Sequence, residues 1–122
     1  MRRPAQIGSH SRTHPRLAEL SDDAARNELR QSRDMLEQRL GRSVELLAYP
    51  YGTAHTVSQR DERLAAESGY RAAFLDMTGA LEQGIEIMSL PRRKVLGTDS
   101  MFVVRASLDS RMDSWRVIER RG

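Results

Sequence analysis

Two of the three histidines lie four residues apart, in Ser9-His10-Ser11-Arg12-Thr13-His14-Pro15. Neutral imidazole is a strong ligand for zinc and related divalent ions. On one helical turn this spacing sets both rings on one face, about 6 Å apart along the axis. They could then share one ion at roughly 2.0–2.1 Å. A metal site needs three or four ligands, so the spacing alone fits an ordinary surface helix better than a metal site. The chain has no cysteine, which excludes disulfides and thiolate ligands. A second segment, Ala48-Tyr49-Pro50-Tyr51-Gly52, gathers two tyrosines at a Pro/Gly turn. Tyr49, Tyr51 and Phe74 read as core or pocket wall rather than a platform for stacked bases. Asp22 and Asp23 sit where acids favour a helix start, and His55 reads as a solvated loop histidine; each is only a reserve candidate for the site.

The elements that must hold these residues follow from pattern. Residues 5–8 end a short strand, and 9–15 form a loop. Ser21 is placed as an N-cap, followed by Asp22 and Asp23 in the first turn. Leu29, Ser32, Leu36 and Leu40 recur at helical spacing, and Gly41 stops the helix, so a helix is expected over 22–40. Val44 to Tyr49 reads as a strand ended by Pro50 and Gly52. A second helix is expected over 58–68, closed by Gly69, then a strand over 71–75. Residues 76–86 read as loop, 87–90 and 94–96 as a strand broken at Pro91. A last helix is expected from Asp99 through Val103 and Val104. Strands alternating with helices give an α/β fold with parallel strands. Both chemistry-bearing segments follow a predicted strand, where such folds place their sites.

Ile7-Gly8-Ser9-His10-Ser11-Arg12-Thr13-His14-Pro15 resembles the histidine motif of the polysaccharide deacetylases, the NodB-homology domain of carbohydrate esterase family four. That motif is commonly Gly-Ser/Asn-His-Ser/Thr-x-x-His-Pro, and every fixed position is matched. Leu17, Leu20 and Ser21, the Glu28-Leu29 helix, Ala48-Tyr49-Pro50-Tyr51-Gly52, Glu67-Ser68-Gly69-Tyr70 and Leu90-Pro91-Arg92 resemble further family landmarks in the family's order. The resemblance covers residues 5–108, leaving 109–122 as a polar tail. It implies a partial distorted (β/α) barrel lacking its first strands, in which residues 1–108 are the C-terminal part of the domain.

The resemblance also implies chemistry: metal-dependent hydrolysis of N-acetyl groups on a polysaccharide or oligosaccharide. His10 and His14 would bind a divalent metal, most often zinc in the family. The backbone N–H of Tyr51 would hold the oxyanion. Tyr49, Pro50 and Tyr51 would line the acetyl pocket, and Arg92 would orient a carboxylate. Three departures stand out. The family's Thr-Phe-Asp-Asp-Gly-like motif, source of the base and third ligand, belongs tens of residues upstream of His10. The arginine that often opens the Pro-Tyr motif is replaced by Ala48-Tyr49. The late Leu-x-His motif is missing, as no histidine follows residue 96. The expectation is therefore weak metal binding and no appreciable turnover by this chain alone, with association possible through open sheet edges. The alternative is a non-catalytic glycan-binding or regulatory remnant of the same fold.

The net charge of +3 rests on 20 basic and 17 acidic residues. All the basic residues but Lys94 are arginines, interspersed with acids as in Asp61-Glu62-Arg63. Such mixed-sign surfaces are solvated helix faces, so nucleic acid is not the expected partner. No apolar run reaches the ~20 residues of a membrane span. Arg2 and Arg3 precede no apolar stretch, so no signal peptide is expected and the chain reads as cytoplasmic, although the family is often exported.

Overall fold

The computed structural model describes residues 5–79, 86–92 and 96–102. Its scaffold is two helices and a short parallel sheet. Helix α1, Asp22–Leu40, starts where Ser21 Oγ accepts the Ala24 N–H, and it ends at Gly41, whose φ of 67° is left-handed. This is the expected range. Ala25, Leu29 and Ser32 form its buried stripe, while Met35 and Leu40 remain exposed. Helix α2, Gln59–Glu67, opens on a reciprocal capping box between Ser58 and Asp61. Asp61 is fully buried, and its carboxylate is satisfied by the Ser58 N–H at 2.8 Å and the Arg60 guanidinium at 2.6 Å. Arg60 also donates to the Leu17 and Leu20 carbonyls at 2.6 Å each and to Asp22 at 3.1 Å. One guanidinium thus ties α2 to the entry of α1 and to a 3-10 turn at Leu17–Glu19. That turn is absent from the sequence pattern because nothing in its three residues repeats at a helical period.

Strands β1, Leu46–Ala48, and β2, Ala72–Phe74, pair in parallel. Parallel bridges extend the sheet on both sides, Ser9 to Leu47 and Phe74 to Leu90. Four chain segments therefore run side by side in one direction. The strand expected at 5–8 pairs one residue later, at Ser9, whose N–H and carbonyl both bond β1 at 2.8 and 2.9 Å. Gly8 comes so close to β1 that a Cβ there would lie 3.0 Å from the Leu46 carbonyl oxygen. β1 is shorter than the expected 44–49 because α1 side chains take over at Val44: its N–H donates to Glu37 and its carbonyl accepts from Arg33. The expected strand at 87–90 pairs as the single bridge at Leu90, supported by hydrogen bonds at Ile87 and Leu90. Met101 and Phe102 are helical. The expectations for Lys94, Val103 and Val104, and for the tail from 109, lie outside the described residues.

Leu17, Leu29, Leu47, Leu64, Tyr70 and Ala73 anchor one core between the helices and the sheet. Burial pushes the Tyr70 phenol up to about 12, so it stays a donor and bonds the Leu29 carbonyl at 2.8 Å. No helix among the described residues is long and apolar enough to cross a membrane.

Candidate active site

The four parallel segments deliver their following residues to one end of the sheet. His10 and His14 come after Ser9, Tyr51 after β1, Asp76 after β2 and Arg92 after Leu90. With Tyr49 they line a single cleft of about 330 Å³. The sequence placed the two chemistry-bearing segments at the same end of a parallel sheet, and they do lie side by side there.

The histidines meet across the loop expected over 9–15. The 9–15 segment is not helical; it is a loop in which Ser11 and His14 both adopt left-handed backbone, at φ 66° and 62°. Ser11 Oγ accepts the His14 N–H at 3.1 Å and closes the turn. The ring centres end up 4.8 Å apart at 64°. Two imidazoles bound tetrahedrally to one ion at 2.0–2.1 Å put their ring centres roughly 5 Å apart. The observed separation fits that requirement. His10 Nδ1 lies 2.7 Å from the Ala48 carbonyl oxygen. A carbonyl can only accept, so Nδ1 carries the proton and Nε2 keeps its lone pair for a ligand. Among the described residues no third His, Asp or Glu joins the pair in a metal-binding group.

Tyr51 is also left-handed, at φ 64°. Its ring packs edge-on against His14 at 4.8 Å, and the Arg16 guanidinium lies over its face at 5.1 Å. Among the described residues no acceptor engages its backbone N–H. The turn is fixed from below by Gly52, whose carbonyl accepts the Asp76 N–H at 2.9 Å. A Cβ on Gly52 would lie 2.3 Å from the Asp76 nitrogen, so only glycine lets the two loops approach this closely.

Arg92 is anchored through its backbone N–H to Met77 and through Nε to the Leu75 carbonyl at 3.0 Å. Pro50 is buried. Tyr49 is among the residues that line the cleft. It has no exposed surface, and its hydroxyl donates to the Met88 carbonyl at 2.7 Å. Burial, with the nearby Glu62 and Asp61 carboxylates, raises its pKa strongly and keeps that donor protonated. Tyr49 is therefore the rear wall of the cleft, because its hydroxyl is already committed to the core. Asp22 pairs with Arg60 and Asp23 with Arg26, and neither they nor His55 line the cleft.

Sequence reasoning missed Asp76, which it left in an unassigned loop. The available signal was position: an acid two residues beyond a parallel strand stands where the other site residues stand.

A sequence profile of the family described as polysaccharide deacetylase matches residues 1–73. No curated protein matches the chain in sequence. Among solved structures it is similar to the Streptococcus pyogenes deacetylase PplD in complex with acetate, at 24% identity and a TM-score of 0.75. That match covers 82% of this chain and 43% of the other. A polysaccharide deacetylase from Bacillus cereus is similar at 23% identity and a TM-score of 0.73, covering 83% of this chain and 31% of the other. The BpsB deacetylase domain from Bordetella bronchiseptica is similar at 18% identity and 0.53, covering 58% and 26%. At these identities the likeness is one of fold. The chain spans less than half the length of each of these structures.

Proposed function

The chain belongs to the polysaccharide deacetylase family, and on that premise we propose that it contributes the histidine pair and the oxyanion turn to metal-dependent hydrolysis of N-acetyl groups on a polysaccharide. The observation that carries this is the His10 ring. With Nδ1 spent on the Ala48 carbonyl, Nε2 is left for a ligand beside His14. A divalent ion held there, zinc by preference, would supply Lewis-acid polarisation and a nucleophilic water near neutral pH.

The chain's own residues supply the rest. The Tyr51 N–H, engaged by no acceptor among the described residues, offers a donor to the oxygen on which negative charge develops as the acetyl carbonyl is attacked. Tyr51 is 44% exposed, and its ring, braced between His14 and Arg16, forms the front wall for the acetyl group. Tyr49 closes the rear of the pocket, ahead of buried Pro50 in the chain. Arg92, fixed by two backbone carbonyls, brings positive charge to the rim, where it can orient a carboxylate.

Two imidazoles are half of a tetrahedral ligand set, so metal binding by this chain alone should be weak, with waters completing the coordination. With no third His, Asp or Glu joining the pair among the described residues, turnover by this chain alone should be near background, since losing one acid or base costs ~10²–10⁴ in rate. A binding role without turnover is the second reading, favoured by the lack of a third ligand among the described residues. Acetate release from N-acetylglucosamine oligomers, with zinc, cobalt or nickel added, tests the first. Zinc titration calorimetry of the parent, His10→Ala and His14→Ala tests the metal site. Both variants binding zinc as well as the parent would remove the pair from the reading. Oligomer binding with no turnover, even after a longer domain is restored, would favour the second.

A further inference from the structure

The loop carrying His10 and His14 holds two left-handed non-glycine residues, a backbone that a free chain disfavours. Something must hold it in that shape. The internal Ser11 hydroxyl bond closes only one end. The other constraint comes from outside the loop, on the buried-side helix α1. Glu28 Oε2 accepts the backbone N–H groups of Arg12 and Thr13 at 3.0 and 2.9 Å. Its Oε1 accepts the Thr13 hydroxyl at 2.5 Å. One helical turn along, Gln31 Oε1 accepts from the Arg12 guanidinium at 2.7 Å. The two residues between the left-handed positions are thus gripped at three points by one carboxylate.

The geometry points to Glu28 as a positioning residue that sets the His10–His14 ring separation through the Arg12–Thr13 backbone; this rests on the histidine pair being a ligand pair. Glu28 touches neither ring. It acts by satisfying the two N–H groups that lie between left-handed Ser11 and left-handed His14. Charge-assisted hydrogen bonds to backbone N–H are about twice as strong as neutral ones. A neutral amide in its place keeps one acceptor oxygen but turns an NH₂ towards a donor. Residues that orient ligands from outside the coordination sphere commonly change metal affinity by about 10–100-fold.

The test uses the full chain with three variants: Glu28→Gln, Thr13→Val and Ser58→Ala. Ser58 caps α2, away from the cleft, and serves as a control for general destabilisation. In the metal-free protein, a nuclear Overhauser effect between the His10 and His14 rings is expected in the parent and in Ser58→Ala. It should be lost in Glu28→Gln and weakened in Thr13→Val. In a Co²⁺ absorbance titration, Glu28→Gln should bind at least tenfold more weakly than the parent, and Ser58→Ala should match the parent. Retention of the ring contact in Glu28→Gln would overturn the assignment. So would an equal loss of Co²⁺ affinity in Ser58→Ala and Glu28→Gln. A parent that binds no Co²⁺, while Glu28→Gln still loses the ring contact, would sink the metal reading and leave the positioning role standing.

Discussion

Replacing Gly52 by alanine tests whether the close approach of the Tyr51 and Asp76 loops builds the cleft. Two costs combine. An alanine at φ 68° carries left-handed strain of about 1 kcal/mol. Its Cβ would also sit 2.3 Å from the Asp76 nitrogen and 3.1 Å from the Leu75 carbonyl carbon. Backbone cannot swing aside as a flexible side chain can, so the 2.9 Å bond from Asp76 N–H to the Gly52 carbonyl must stretch or break. Losing that bond adds about 0.5–1.5 kcal/mol. The expected total is about 1.5–2.5 kcal/mol, or a fall in Tm of roughly 10 °C for a domain this size. Gly41 supplies the matched control. Its φ is 67°, but nothing lies within 4 Å of an added Cβ, so Gly41→Ala should cost only the conformational part, about 1 kcal/mol. Thermal denaturation of both variants by circular dichroism separates the two contributions. Equal Tm losses in Gly41→Ala and Gly52→Ala would refute the close approach.

Glu28 should make stability fall on acidification. Burial raises its pKa, but the bonds from Thr13 and Arg12 outweigh that and leave it below the ordinary carboxylate value. A folded pKa below the unfolded one gives stability that is present above the unfolded value, near 4.3, and lost as pH drops through the folded value. The midpoint of urea unfolding measured from pH 6 to pH 3 should fall less steeply in Glu28→Gln than in the parent; parallel profiles would count against it. Tyr49→Phe should destabilise by about 1–3 kcal/mol, because the Met88 carbonyl loses its 2.7 Å donor inside the protein. The same variant should leave oligosaccharide affinity unchanged at temperatures where it is folded, and a selective loss of affinity would restore Tyr49 as a substrate contact.

Much of this protein is legible along the chain because its signals are local. Ser21, Asp22, Asp23 and Gly41 bound α1 to the residue, since caps and first-turn charges act on backbone groups within four positions. The helix expected over 58–68 forms over Gln59–Glu67, with Ser58 and Ser68 as its caps. The pairing of His10 with His14 and their placement beside Tyr51 followed from the motif and from the rule that parallel strands deliver their loops to one end. How the pair forms was not legible. The loop over 9–15 is legible, but nothing in its residue types marks the left-handed Ser11 and His14 through which the rings meet. That backbone is affordable only because Glu28, fifteen residues beyond Thr13 in sequence, satisfies the intervening N–H groups. Asp76 enters the cleft because Gly52 has no side chain to hold it off. The Tyr49 hydroxyl is committed to the core because the Met88 carbonyl, 39 residues away, takes it. Each of these depends on partners distant in sequence, whose meeting is fixed by the packing of α1, α2 and the sheet and by nothing in the residue types alone.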